Sequence, residues 1–305
     1  MKLSICAYGM LHRYKTFNQV VSNVRENLDL KEITYYAFSF KDSYNEKIRR
    51  SLEKNIPNLK VEFVKKKVPE FIKEKDLFYN KTHLEYVRNT FPKSRKNYLH
   101  MCEFLSDISA TPYINKYDVV VRFDDDSWFK KKYNFDFNFF KSDKDKLLAT
   151  SHTQVDDSSK RKETKIGFFE AAYEYCKIKN LKPKYNLLSK SFEKKEIELF
   201  YQIPWPCGNF NIYDMSIYQT NEWKDWIDFI KAKGGIFTNR WADLEIIGTF
   251  LYIYFEDPII NLDLYPDIYF DRHFNQEIIQ FKRNIIIRVF SKLKKILQIN
   301  FKKIK

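Results

Sequence analysis

Tyr117-Asp118-Val119-Val120-Val121-Arg122-Phe123 runs straight into Asp124-Asp125-Asp126. Three adjacent valines and a phenylalanine suit a buried strand. The three carboxylates then fall at its carboxyl end, the edge where open α/β sheets bind ligands. Such a cluster is costly, because each charge disfavours its neighbours' ionisation, and a cation or solvent must offset it. A hard divalent ion, Mn2+ or Mg2+, prefers oxygen ligands and can bridge a diphosphate.

Toward the N-terminus, Leu3 to Tyr8 reads as another buried strand, followed by a loop through His12 and Arg13. Phe17, Val20, Val21, Val24 and Leu28 share one helical face. Ile33 to Phe38 is a second strand and Val61 to Val64 a third, weaker one. Strand, helix, strand in this order predicts a parallel sheet with crossover helices. Tyr98, Met101, Cys102, Leu105 and Ile108 line a further helix just before the quoted strand.

Toward the C-terminus, residues 151–165 are polar, without periodicity, and read as a surface loop. Gly167 to Tyr175 reads as a short helix or strand, and Lys177 to Lys195 as a Lys-rich excursion. Tyr201 to Tyr213, dense in Pro, Trp, Gly and Asn, predicts little regular structure around a buried Trp205 and Phe210. Glu222 to Lys233 predicts a helix with Trp223, Trp226, Ile227 and Ile230 inward and Gly234 as its C-terminal cap. Arg240 to Asp243 opens another helix, which Asp243 could cap.

With 305 residues, 44% of them hydrophobic, the chain can bury a sizeable core. The formal net charge is +14, yet Phe281 to Lys305 alone carries nine Lys and Arg and no acid. The remaining body is only mildly basic, which argues against a nucleic-acid partner. In that tail Ile286, Val289, Phe290, Leu293, Ile296 and Leu297 form an apolar stripe flanked by Arg288, Lys292, Lys294 and Lys295. A basic amphipathic helix of this kind can lie on an anionic membrane surface. Cysteines 6, 102, 176 and 207 form no CxxC pair, so reduced thiols and a cytoplasmic setting are expected, peripheral on a membrane where the tail engages it. The opening apolar run is too short for a signal peptide, and no stretch reaches the length of a transmembrane helix.

Asp124 and Asp126 together form an Asp-x-Asp pair, as a metal-dependent glycosyltransferase needs to neutralise a departing nucleoside diphosphate. Asn97-Tyr98-Leu99-His100-Met101-Cys102-Glu103-Phe104, then Lys116-Tyr117-Asp118 through Asp126 and Phe129, resembles the fungal α-1,2-mannosyltransferases of glycosyltransferase family 15, the KTR or glycolipid 2-alpha-mannosyltransferase family. Gly167-Phe168 with Tyr173-Glu174-Tyr175, Gly208-Asn209-Phe210-Asn211-Ile212, and Lys233 to Phe237 followed by Arg240-Trp241-Ala242-Asp243 keep the family's order and spacing. The likeness covers roughly residues 95–275, with residues 1–94 matching only as a generic nucleotide-binding half.

The resemblance implies an α/β GT-A fold, a Rossmann-like mixed sheet flanked by helices. One catalytic domain would span residues 1–280, with a nucleotide-binding half at 1–123 and an acceptor half at 124–280, followed by the tail 281–305. It implies Mn2+ (or Mg2+), a GDP-mannose donor, a glycan or glycolipid acceptor, and retention at the sugar carbon. Asp124 and Asp126 replace the family's Glu and Asp around the metal and diphosphate, with Arg122 and Asp125 completing the cofactor-binding group. Tyr98 matches a tyrosine of the acceptor and catalytic site, and Asp243 an aspartate that contacts acceptor or donor sugar. Asp267 to His273 resembles a segment ending in a metal-binding histidine, which makes His273 the nitrogen ligand after a one-residue offset. The family's Golgi members carry an N-terminal anchor that this sequence lacks, and the tail would take its place.

Three positions depart from the pattern. Glu103 stands at an Arg, Asp125 at a Pro, and Asn211 at the glutamate proposed as nucleophile. An amide forms no glycosyl ester, so double displacement through position 211 is excluded. A front-face reaction remains, with the departing phosphate taking the acceptor proton and Asn211 hydrogen-bonding the sugar. Alternatively Glu245 or Asp243 acts, the donor is another nucleotide hexose, or the chain is a non-catalytic nucleotide-sugar or carbohydrate binder.

Overall fold

The computed structural model describes residues 3–81, 97–108, 111–155, 165–264 and 268–270. Its central sheet has seven strands: β1 (Ile5–Met10), β2 (Thr34–Ser39), β3 (Leu59–Phe63), β4 (Val119–Asp124), β6 (Leu148–Gln154), β7 (Trp205–Asp214) and β8 (Ile259–Asn261). A separate ribbon pairs β5 (Ser127–Phe129) antiparallel with β9 (Ile268–Phe270). The sheet order is β3-β2-β1-β4-β7-β6-β8. β3, β2, β1 and β4 are parallel, β7 is antiparallel to β4 and β6, and β8 is parallel to β6.

The predicted opening strands and crossovers are all present. β1 and β4 lie at the centre, with Cys6, Ala7, Tyr8, Met10, Val119, Val120, Val121 and Phe123 buried. Neighbours on both sides and helices on both faces explain why these strands read as continuous apolar runs. Helices α1 (Tyr14–Asn27) and α2 (Glu46–Asn55) cover one face; α1 buries Phe17, Val20, Val21 and Val24 against Ala7, Tyr35, Val121 and Phe123. The other face carries the larger core, built with α3 (Asn97–Ser106), α5 (Phe168–Ile178), α6 (Asn186–Lys194), α8 (Asn221–Lys233) and α10 (Asp243–Tyr254). The short helices α4 (Phe139–Ser142), α7 (Ile197–Tyr201) and α9 (Gly235–Asn239) link these elements. α8 is capped by Thr220 Oγ1, which accepts from the Trp223 N–H, and ends at Gly234 with φ 70°.

Three expectations are corrected. Tyr201 to Tyr213 is not irregular: residues 205–214 form β7, an interior strand. Its unfavourable composition is overridden by pairing on both sides, and its register with β6 shifts between Thr150 and His152. The polar stretch from 151 is not all loop, because β6 continues to Gln154 along the other side of β7. Asp243 is not the cap of α10: Ala242 occupies that position, its N–H bonded to Glu245 Oε2, while the Asp243 carboxylate is turned inward. Residues 156–164 of the loop expected at 151–165, His273 and the tail 281–305 lie outside the described residues. Among the described residues no helix is long and apolar enough to cross a membrane.

Gly9 faces Phe123 across the β1–β4 ladder, and a Cβ there would lie 2.7 Å from Phe123 Cε2. The Phe123 ring is completely buried, against Phe17 and Tyr35. Gly9→Ala is expected to destabilise the fold by about 1–3 kcal/mol. A urea midpoint that falls for Gly9→Ala and recovers in Gly9→Ala/Phe123→Leu checks this.

Candidate active site

The parallel strands β1, β2 and β4 end at one edge of the sheet, where β7 begins its antiparallel return. This brings Leu11–Arg13, Ser39–Lys41, the acidic triplet and Asn209 together. The turn after β4 is fixed by Ser127, whose Oγ accepts from the Asp124 N–H at 3.1 Å and donates to Asn209 O at 2.9 Å.

The three carboxylates diverge. Asp124 is half-buried, with Oδ1 3.6 Å from Arg122 Nη2. Burial raises its pKa to about 7, against the pull of Arg122 and with the push of Asp126 and Asp125. Asp125 turns the other way, and its Oδ2 accepts the backbone N–H groups of His12 at 2.7 Å and Arg13 at 2.6 Å. Burial raises it to about 6, and the His12 N–H opposes that rise. Asp126 is partly exposed, 3.8 Å from Arg13 Nη2. Thus Asp124 and Asp126 face the mouth, whereas Asp125 belongs to the β1–α1 loop.

Arg122 lies behind them with its side chain 5% exposed, its Nη1 bonded to Asp243 Oδ2. Asp243 thereby joins the group from the first turn of α10. Tyr98 approaches from α3, with the Arg240 guanidinium carbon 4.6 Å from its ring centre. Arg240 holds a left-handed φ of 63°, uncommon for a side-chain-bearing residue. Cys102 links the two helices: its thiol meets the Tyr98 hydroxyl and a backbone N–H of Asp243. The Cys102 sulfur and burial push the Tyr98 pKa well up, so the phenol stays neutral.

Asn211 pairs with Arg122 on β4 and Thr150 on β6. It is completely buried, and neither Oδ1 nor Nδ2 has a hydrogen-bond partner. Asn209 Nδ2 is likewise buried and unpartnered. Glu245, the alternative acid, is engaged at the start of α10 and by Lys165 Nζ at 3.5 Å. That lysine is 1% exposed and stands 4.3 Å from the Trp205 ring centre. So Tyr98, Arg122, Asp124, Asp126, Asn211 and Asp243 form one neighbourhood, while His273 lies outside the described residues. Sequence reading passed over Arg13, Lys41, Asn209 and Lys165. The rule that located the acids, position just beyond a parallel strand, also marks Arg13 and Lys41.

Among the described residues no group of three or more His, Cys, Asp and Glu side chains could hold a metal ion. Two outward carboxylates nevertheless fit a hard dication that takes its other oxygens from phosphate and water. Cys6, Cys102 and Cys176 are buried thiols.

A mixed sheet flanked by helices, with its acidic cluster at the carboxyl edge of the parallel strands, is the architecture of a GT-A glycosyltransferase. The chain belongs to the glycolipid 2-alpha-mannosyltransferase family, whose sequence pattern matches residues 5–265. Its fold is shared with the mannosyltransferase Ktr4p from S. cerevisiae in complex with GDP, at 16% identity, TM-score 0.66, over 84% of this chain and 68% of that one. It is shared equally with core-mannan synthase A from Aspergillus fumigatus in its Mn/GDP form, at 15% identity, TM-score 0.66, over 86% and 73%. No curated protein matches the chain by sequence.

Arg122 and Asp243 are both nearly inaccessible to water. Removing one member of such a pair strands the other charge, at about 3–5 kcal/mol. Arg122→Met is expected to lose stability in that range. Arg122→Met/Asp243→Leu should recover about half or more of it in denaturant titration.

Proposed function

We propose that this chain is a metal-dependent, retaining α-1,2-mannosyltransferase that moves mannose from GDP-mannose to a hydroxyl of a glycan or glycolipid. The observation that carries this reading is the completely buried, unpartnered amide of Asn211 beside Arg122, close behind the outward Asp124 and Asp126. A buried amide without partners costs about 1–3 kcal/mol per unmet group, and sugar hydroxyls would supply both a donor and an acceptor. The family membership and the GDP of the two structural relatives favour the donor.

In this reading Asp124 and Asp126 would hold Mn2+ or Mg2+, with His273 as a further ligand, and a bound ion would supply positive charge beside the leaving diphosphate. Support for His273 comes from the ribbon: Phe270, three positions before it, pairs with Ser127, three positions after Asp124. Arg122 orients Asp124 and Asp243, and the neutral Tyr98 hydroxyl and Asp243 position the acceptor. The bond from the sugar carbon to the diphosphate breaks as the acceptor oxygen bonds on the same face. The acceptor proton passes to the departing diphosphate oxygen, so no side chain becomes a covalent carrier. Residues 281–305 would rest on an anionic membrane surface near a lipid-linked acceptor.

A screen of GDP-mannose, GDP-fucose and UDP-hexoses with Mn2+ tests the donor. GDP-mannose is expected to be turned over, and Asp126→Ala to lose at least about a hundredfold of that rate, as loss of a charge-stabilising group does. Asn211→Ala should lower kcat while leaving GDP binding intact. Equal turnover by Asp126→Ala would dismiss the metal assignment. Binding of GDP-mannose without transfer or hydrolysis would instead establish the non-catalytic reading that an amide at position 211 also permits.

A further inference from the structure

Asp125 is the member of the acidic triplet that the proposed reaction does not use. Its carboxylate is almost wholly buried, with the residue 5% exposed. A carboxylate tolerates that only when strongly hydrogen-bonded. The compensation comes from one short stretch, since Oδ2 takes the N–H groups of both His12 and Arg13. The opposite side of the same stretch is fastened too. The His12 carbonyl accepts from Lys41 Nζ and from the Tyr44 hydroxyl at 2.7 Å. The link from β1 to α1 is therefore gripped through its amides by Asp125 and through a carbonyl by Lys41 and Tyr44.

The grip fixes where the Arg13 side chain starts. That side chain is 42% exposed and lies 3.8 Å from Asp126, itself 23% exposed. An ion pair so open to water is held weakly. A diphosphate oxygen pair offers a guanidinium a bidentate, doubly charged partner. Once Asp126 serves a dication, that competition favours the phosphates further.

We propose that Asp125 is a positioning residue: it locks the His12–Arg13 backbone so that the Arg13 guanidinium, now on Asp126, meets the diphosphate of the bound nucleotide. This rests on the nucleotide-binding reading above. It adds Arg13 as a phosphate-binding residue and removes Asp125 from the groups that touch metal or nucleotide.

The test is calorimetric titration of the full chain with GDP and, by competition, with guanosine, both in Mn2+. The proteins are wild type, Arg13→Ala, Asp125→Ala, Asp125→Asn and Arg13→Ala/Asp125→Ala, each checked by thermal denaturation. Arg13→Ala is a surface change and should fold as wild type. It should weaken GDP roughly 10- to 100-fold, as loss of a charged hydrogen bond does, and leave guanosine within about twofold. Asp125→Ala should reproduce this pattern, and the double variant should be no worse than Arg13→Ala. Asp125→Asn keeps a carbonyl acceptor and should retain most of the GDP affinity. Unchanged GDP affinity in Arg13→Ala overturns the proposal, as does a parallel loss of guanosine. Failure of wild type itself to bind GDP would sink the nucleotide reading and this one with it.

Discussion

A guanidinium on an interior strand is the constraint around which the site is organised. Arg122 sits on β4 between β1 and β7, its side chain almost inaccessible. Burial of that charge is tolerable only with carboxylates in contact. One comes from its own strand two residues on, Asp124, whose Oδ1 lies 3.6 Å from Arg122 Nη2 while its side chain still reaches the mouth beside Asp126. The other must come from another element, and α10 supplies Asp243. For Asp243 to reach Arg122 the helix must press onto β7. Gly248 permits this, since a Cβ there would stand 2.7 Å from Pro206 Cδ. The start of α10 is then set by Glu245, bonded to the Ala242 N–H and paired with Lys165.

The same constraint explains a row of polar residues across an otherwise apolar face. Tyr8, Arg122, Asn211 and Thr150 are register partners on β1, β4, β7 and β6, so their side chains leave the sheet on one side. Around them lie Cys6, Met10, Val120, Leu148 and Tyr213 of the larger core. The row ends where α3 and α10 meet, and there Tyr98, Cys102 and Asp243 come into contact. Sequence positions more than a hundred residues apart become one site because a single charge draws their elements together.

This accounts for what could and could not be read from residue order. β1, β2, β4, α1 and α8 carry their periodicity locally, and the triplet announces the edge by following a valine run. β7 could not be read locally. Pro206, Asn209 and Asn211 disfavour a strand, and only β4 and β6 on either side make it one. The inward turn of Asp243 was hidden for the same reason, because its partner Arg122 is 121 residues away. Asp125 reads in the sequence as one of the cofactor-binding group, because its partners in the fold are backbone amides, which leave no mark in a sequence. The family likeness placed Tyr98, Asn211 and Asp243 at one site before any contact was visible, but it could not say which groups each would touch.

Charge balance also gives the amide at position 211 a physical reason. The buried cations nearest the site are engaged by carboxylates: Arg122 by Asp124 and Asp243, and Lys165 by Glu245. A carboxylate at 211 would be completely buried beside an arginine that already serves two acids. It would have to stay protonated or displace Asp124 from its orientation. An amide occupies the same space without charge and leaves Arg122 to its two partners. It keeps one acceptor and two N–H donors, buried and without a hydrogen-bond partner. The departure at 211 and the doubly shared arginine are therefore one feature.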